Sequence, residues 1–176
     1  MFKRILIVVD PRAVSRAAVG VGAALAHTHG AEVVLFYVLP RFSVPVADMP
    51  PFLPTSPQEF QQAAQAAADK ALKAACALCD RAGVVSKSVT GSGEDDARVI
   101  VEAARKRRCD LIVVASEGRN ALLRLLTGSV IPGVITASPV PVLVCKAPAR
   151  AKVGAEVAVM PLKARRARRA AGSSMH

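Results

Sequence analysis

The sequence predicts an α/β fold, a doubly wound five-stranded parallel sheet with helices on both faces. Strand-length apolar runs alternate with helix-length segments along the chain, and no acceptable hairpin turn joins two successive runs. Strands connected in this way lie parallel, with right-handed crossovers between them. The 176 residues suffice for one hydrophobic core and are too few for two ordinary domains. We therefore expect one domain over residues 1–146 and a separate tail over residues 147–176.

The first part of the chain contains two predicted strands on either side of a helix. Residues 5–9 are a short apolar run that ends at Asp10, and an Ala- and Val-rich segment then extends to Gly30. Glycine commonly terminates helices, so this segment is predicted to be helical. Residues 32–38 are apolar throughout most of their length and are predicted as the second, buried strand.

A proline-rich segment separates these elements from the rest of the domain. Its prolines forbid regular helix or central strand, which predicts a long surface loop over residues 40–57.

Acidic residues are favoured at the start of a helix and basic residues at its end, and two such groups frame one later helix. The remaining predicted elements are a helix over 59–82 that Gly83 stops, a strand over 84–89, a helix between acidic residues 94–96 and basic residues 105–108, a strand over 110–115, a short helix, and a strand over 140–145.

The composition narrows the class of protein. No stretch approaches the roughly 18 uninterrupted apolar residues of a membrane span, and the first residues lack the cleavage site of a secretory signal. We therefore expect a cytoplasmic protein. The four cysteines, Cys76, Cys79, Cys109 and Cys145, do not follow the spacing of a disulfide framework, so reduced thiols are expected. Cys76 and Cys79 form a C-x-x-C inside a helical pattern without a second ligand pair, which favours a structural role over a metal site.

The net charge of +11 is concentrated at the carboxyl-terminal end. Residues 147–176 contain seven basic residues and one acidic residue, with almost no bulky apolar side chain after Leu162. Such a segment cannot bury enough surface to order itself, so a disordered tail is expected. It lacks aromatic residues that stack on bases, so any binding to RNA, DNA or an anionic membrane surface would be nonspecific and sensitive to salt.

The chemistry is predicted at the carboxyl ends of the strands. Doubly wound sheets bind ligands there, which directs attention to Asp10, Val38 and the segment after Ala115. Gly118 lets the backbone approach a ligand closely, and Arg119 adds a cation with fork-like donors for phosphate. Residues 128–129, Gly-Ser, offer amides and a hydroxyl at a helix start, where an anion is favoured.

In this pattern the sequence resembles the universal stress protein family. Gly118, an interval of nine residues and the Gly-Ser pair at 128–129 match the glycine motif of its nucleotide-binding members, and the strands at 5–10, 110–115 and 138–144 match as well. The resemblance implies strand order 3-2-1-4-5, an ATP-binding sensor or regulator of the stress response, and possible Mg²⁺ with the nucleotide. It also implies a homodimer through the strand 140–145, whose apolar edge would otherwise be exposed. The implied nucleotide-binding residues are Asp10, Val38, Ala115, Ser116, Gly118, Arg119, Asn120, Gly128, Ser129 and Val130.

Several alternatives remain open at this point. Ala115 occupies the place of the first glycine of the family motif, and Glu117 puts a carboxylate beside the expected phosphates, which favours a dimeric scaffold of the same fold without nucleotide. Slow ATP hydrolysis is a third hypothesis, although no general base is visible near Gly118. Asp10 and Ser129 are also good helix-capping residues, and His27 and His29 suit the electrostatics of a helix end.

Overall fold

The computed structural model describes residues 2–42, 56–116 and 130–146. Three predicted features lie wholly or largely outside these ranges: most of the proline-rich loop, the glycine segment at 117–129, and the basic tail. The described elements are β1 (Arg4–Val8), α1 (Ala13–His29), β2 (Glu32–Val38), α2 (Pro57–Arg81), β3 (Ser86–Gly91), α3 (Asp96–Lys106), β4 (Leu111–Ser116), α4 (Val130–Ala137) and β5 (Val142–Lys146).

The five strands form one parallel sheet in the order β3-β2-β1-β4-β5. The predicted doubly wound topology is therefore confirmed. The chain moves outward from β1 through β2 to β3, and then returns to the other side of β1 to form β4 and β5. Strand order consequently reverses between β1 and β4.

Helices cover both faces of the sheet because the strand side chains alternate between two cores. Ile5, Ile7 and Leu35 face α1 and α2, whereas Leu6 and Phe36 face α3 and α4. All five side chains are buried. The continuous apolar sequences of the central strands are thus explained by burial on both sides. Within the described ranges, no helix has both the length and the apolar character needed to cross a bilayer.

The helix ends follow the capping signals in the sequence. Gly30 adopts the left-handed conformation, with φ of 64°, immediately after α1. The Ser56 side chain accepts a hydrogen bond from the Glu59 amide at 3.2 Å and so caps α2. Asp95 caps α3 by accepting from the amides of Ala97 and Arg98. Each cap satisfies backbone groups that a helix end leaves without an intrahelical partner.

Two strands begin later than predicted, because the backbone amides before them are used elsewhere. The Val84 amide donates to the Cys79 carbonyl oxygen at the end of α2, at 3.0 Å, so β3 starts at Ser86 and not at residue 84. The Val140 amide donates to Ser138 Oγ in a turn, so β5 starts at Val142 and not at residue 140. Local hydrogen bonds therefore compete with the strand ladder at both positions.

A polar cluster at the amino ends of the strands links β1 to both of its neighbours. The Asp110 carboxylate, just before β4, accepts from the amides of Lys3 and Arg4 at 2.7 and 3.1 Å. Arg4 also forms an ion pair with Glu32 of β2 at 2.9 Å and donates to the Arg107 carbonyl oxygen. These contacts fix the relative positions of three strands at the edge opposite the predicted ligand site.

Helix α1 packs closely against the sheet at Gly22. A Cβ atom at Gly22 would lie 2.5 Å from Ile7 Cδ1 and 3.7 Å from Val113 Cγ2. Both of these side chains are fully buried, so they have little room to move aside. Gly20, in the same helix, has no heavy atom within 4 Å of the position a Cβ would take.

We expect Gly22→Ala to lower the free energy of unfolding by about 1 to 2 kcal/mol, because overpacking outweighs the gain in helix propensity. Gly20→Ala is the matched control and should raise it by about 0.5 to 1 kcal/mol, since only the propensity changes. Urea denaturation of the three proteins measures both effects. Equal shifts for the two variants would show that α1 does not pack against the sheet at Gly22.

Candidate functional site

The carboxyl ends of the central strands bring together several residues predicted at the site. Val8 of β1 pairs with Phe36 of β2, and Ile7 pairs with Val113 of β4. Continued for two residues, these registers place Asp10 beside Val38 on one side of β1 and Ala115 beside Val9 on the other side, at the same carboxyl end. The Val9 amide donates to the Phe36 carbonyl oxygen at 2.8 Å, so the ladder extends toward Asp10.

The edge formed by these residues lies at the reversal of strand order. Asp10 and Val38 follow or end β1 and β2, Ala115 and Ser116 end β4, and Val130 begins α4. Five predicted site residues are therefore described by the structure, and four of them belong to one edge of the sheet. The other predicted residues, Gly118, Arg119, Asn120, Gly128 and Ser129, lie outside the described residues.

Asp10 is held by the start of α1. Its Oδ1 accepts from the Arg12 amide at 2.8 Å, and its Oδ2 forms an ion pair with Arg12 Nη2 at 2.6 Å. The Asp10 amide donates to Ser15 Oγ at 3.0 Å. The N-cap of α1 is Arg12, which makes no side-chain cap bond, so Asp10 shapes the turn before the helix and is not its N-cap. About a quarter of the Asp10 side chain, 26%, is exposed and accessible to a ligand.

Two buried polar side chains interact with Asp10, Ser15 through a hydrogen bond and Tyr37 electrostatically. Ser15 is 1% exposed, and Tyr37 of β2 is 6% exposed. Burial raises the pKa of the Tyr37 phenol, and the negative charge of Asp10 raises it further. The phenol therefore stays neutral at physiological pH and adds no second negative charge beside the carboxylate.

Ala115 and Ser116 face opposite sides of the sheet. The Ala115 methyl group is half-buried and packs against the core under α1 and α2. Alternation along the strand directs the Ser116 side chain to the face that α3 and α4 cover. Ser116 is thus on the same side as Val130, the first residue of α4, which is 36% exposed.

A cavity of about 420 Å³ opens next to Asp10, between α1 and α2. Its floor is apolar, with Val9, Val19 and Leu78 among the lining residues. Alanine side chains of α2 keep the groove open, since none extends beyond Cβ. The charged residues that line it are Asp10, Arg12, Arg16 and Lys70.

A second cavity, of about 560 Å³, lies where β2 leads toward the proline-rich segment. Phe42 and Phe60 line it and pack edge to face, with ring centroids 5.5 Å apart. Beside it, Arg41 forms an ion pair with Glu94 at 3.2 Å. The two cavities lie on neighbouring parts of the carboxyl edge, one with a basic rim and one with aromatic walls.

The cysteines do not form a reactive or metal-binding centre among the described residues. All four thiols are free, and no group of three or more His, Cys, Asp or Glu side chains in the described ranges is arranged to hold a metal ion. Burial raises the pKa of Cys79 and Cys145, and raises that of Cys109 to about 11. These three thiols are therefore protonated at neutral pH and act as small apolar groups. His29 packs edge to face on Phe2, with ring centroids 5.5 Å apart.

The sequence analysis did not single out four residues that border the Asp10 cavity or support Asp10: Arg12, Ser15, Arg16 and Lys70. Arg12 and Arg16 follow Asp10 closely, at the start of the predicted helix, and this signal was available in the sequence. Lys70 is 60 positions from Asp10, and only the packing of α2 against α1 brings it to the same cavity.

The fold and its edge geometry define a class of protein, the doubly wound α/β proteins with a ligand site where strand order reverses. Within that class, the model of the universal stress protein family matches residues 1–146. This match covers most of the chain, so the chain belongs to the universal stress protein family.

Individual relatives agree with this assignment. A universal stress protein of Methanocaldococcus jannaschii is 33% identical over 152 residues, which cover 84% of each chain. The universal stress protein of Archaeoglobus fulgidus in complex with dAMP is 19% identical, with a TM-score of 0.59, and the match covers 81% of this chain and 96% of that one. A family member from Arabidopsis thaliana with AMP bound is 18% identical, with a TM-score of 0.59, over 84% of this chain and 93% of that one. These two structures share the fold described above.

Proposed function

We propose that this protein binds an adenine nucleotide, namely ATP together with Mg²⁺. We further propose that it acts in the cytoplasm as a sensor or regulator of the stress response. The observation that carries the proposal is the placement of Asp10, Val38 and the end of β4 on one edge, at the reversal of strand order. The nucleotides bound to the relatives from A. fulgidus and A. thaliana support the choice of an adenine ligand.

Each part of the edge suits a different part of the nucleotide. The Asp10 carboxylate is a hydrogen-bond acceptor for ribose hydroxyls, and the backbone at Val38 offers donors and acceptors for the base. Ser116 suits the phosphates because it ends β4, and Val130 begins α4. The motif residues Gly118, Arg119, Gly128 and Ser129, which lie outside the described residues, are proposed as further phosphate ligands. Mg²⁺ would be held chiefly by phosphate oxygens and water, as is usual for this ion.

Calorimetric titration of Mg²⁺-ATP into nucleotide-stripped protein should show saturable binding. Asp10→Ala should weaken it about 10- to 100-fold, because hydrogen bonds to a charged group contribute roughly 1.5 to 3 kcal/mol. Glu102→Ala is the control, since it also removes one carboxylate, and Glu102 pairs with Lys106 on an exposed part of α3 and lines neither of the two cavities. A flat titration of the wild-type chain would contradict ATP binding.

Ala115 is the residue at which the alternative function, a scaffold without nucleotide, is to be tested. Its methyl group packs against the core under α1 and α2. The methyl group is thus engaged with core side chains, and this arrangement favours retention of nucleotide binding.

Ala115→Gly should tighten ATP binding by about threefold to tenfold, because the backbone gains freedom to approach the ligand. The same titration measures this change, and Ala104→Gly, in the buried face of α3, controls for general loosening of the fold. If neither the wild-type chain nor Ala115→Gly binds ATP at any concentration, the scaffold function replaces the nucleotide function.

We also propose that the protein forms a homodimer in which β5 of one chain pairs with β5 of the other. This strand is at the edge of the described sheet, and its apolar side chains Val142, Leu143 and Val144 remain partly exposed. Edge strands with such side chains readily pair with another strand. Light scattering should give twice the mass of one chain, and a monomer at micromolar concentration would contradict this arrangement.

A further inference from the structure

We propose that the groove between α1 and α2 binds a phosphate group on the ribose of the nucleotide. The preferred ligand would then be an adenine nucleotide that carries a phosphate at its 2′ or 3′ hydroxyl in addition to its 5′ phosphates. This inference rests on the proposed function, because the nucleotide edge has to position the ribose beside Asp10.

The groove between α1 and α2 contains more positive than negative side chains. The groove of about 420 Å³ is lined by the cations Arg12, Arg16 and Lys70, against the single carboxylate of Asp10. That carboxylate already forms an ion pair with Arg12 at 2.6 Å. The charged lining of the groove is therefore net positive and suits a dianionic group.

The cations of the groove come from two separate parts of the chain. Arg12 and Arg16 come from the start of α1, and Lys70 comes from the facing side of α2. Between them, Ala67, Ala71 and Ala74 contribute only methyl groups to the wall, which leaves room for a ligand. A phosphate in this groove would contact cations from both sides, whereas an ordinary solvated charge on one helix surface would face water alone.

The start of α1 directs the positive end of a helix dipole toward the groove. Its first turn contains no acidic residue, and the N-cap residue Arg12 makes no side-chain cap bond. The Asp10 carboxylate, in the turn before α1, accepts from the Arg12 amide and is paired with the Arg12 side chain, so its single negative charge is outweighed by the three cations and the helix dipole together. This end of α1 opens on the same groove as the three cations, so both sources of positive potential act on one volume.

The position of Asp10 indicates that the phosphate in this groove would be attached to the ribose. Asp10 lines the groove and also belongs to the nucleotide edge, so it marks the point at which the two sites meet. An isolated carboxylate at a ribose accepts from its hydroxyls and repels a ribose phosphate, whereas a nearby arginine accommodates that phosphate. The pairing with Arg12 offsets the charge of Asp10, so Arg16 and Lys70 of the same groove would attract a phosphate at this position.

The test compares AMP, adenosine 2′,5′-bisphosphate and adenosine 3′,5′-bisphosphate by calorimetry at constant ionic strength. One of the bisphosphates should bind the wild-type chain at least about tenfold more tightly than AMP. Arg16→Gln combined with Lys70→Gln should abolish this preference and leave AMP affinity within about twofold, because Lys70 and Arg16 are not part of the nucleotide edge. Lys73→Gln combined with Lys87→Gln removes the same charge outside the groove and should keep the preference.

Each other outcome overturns a defined part of the argument. Equal affinities for AMP and both bisphosphates would overturn the ribose-phosphate site and leave the proposed function intact. A preference that survives Arg16→Gln and Lys70→Gln would place the second phosphate outside the groove and also overturn the inference. Failure of all three nucleotides to bind would overturn the proposed function itself. Binding of inorganic phosphate that is lost in the double variant, without any bisphosphate preference, would show an anion site unrelated to the ribose and would overturn the inference.

Discussion

The central position of β1 is the constraint on which the rest of the structure depends. β1 forms hydrogen bonds with β2 on one side and with β4 on the other, and its side chains are buried on both faces. Asp110, Arg4 and Glu32 fix the three strands at their amino ends. Because the register is fixed there, it also determines which residues meet at the carboxyl ends, where Asp10, Val38 and Ala115 lie.

Close helix packing is the second condition for this geometry, and glycines permit it. Gly22 lets α1 lie against Ile7 and Val113 under the switch point. Gly133 has the same role in α4, since a Cβ there would lie 2.7 Å from the Ala97 Cβ of α3. Its cost in helix propensity is therefore offset by contact between the two helices on that face. Pro132 is tolerated as the third residue of α4, where its amide has no partner to lose.

The electrostatics of the edge depend on contacts between residues distant in sequence. Asp10 influences a buried phenol electrostatically, is paired with an arginine and lines the same groove as a lysine of α2. An acidic residue after the first strand suggests a simple acceptor for ribose hydroxyls, but the surrounding cations give the region a net positive charge. The chemistry of the site is thus set by the neighbours of Asp10 as much as by Asp10 itself.

The sequence by itself determined the class of fold and predicted the edge of the sheet at which a ligand site is proposed. Apolar runs that alternate with helical segments report burial and periodicity, which are local properties of the chain, and the glycine motif reports the family. The starts of β3 and β5 required the structure, because the competing hydrogen bonds of Val84 and Val140 depend on the turns before them. The meeting of Lys70 with Arg16 and Asp10 was likewise decided only by tertiary packing, since no periodicity relates residues so far apart in the chain.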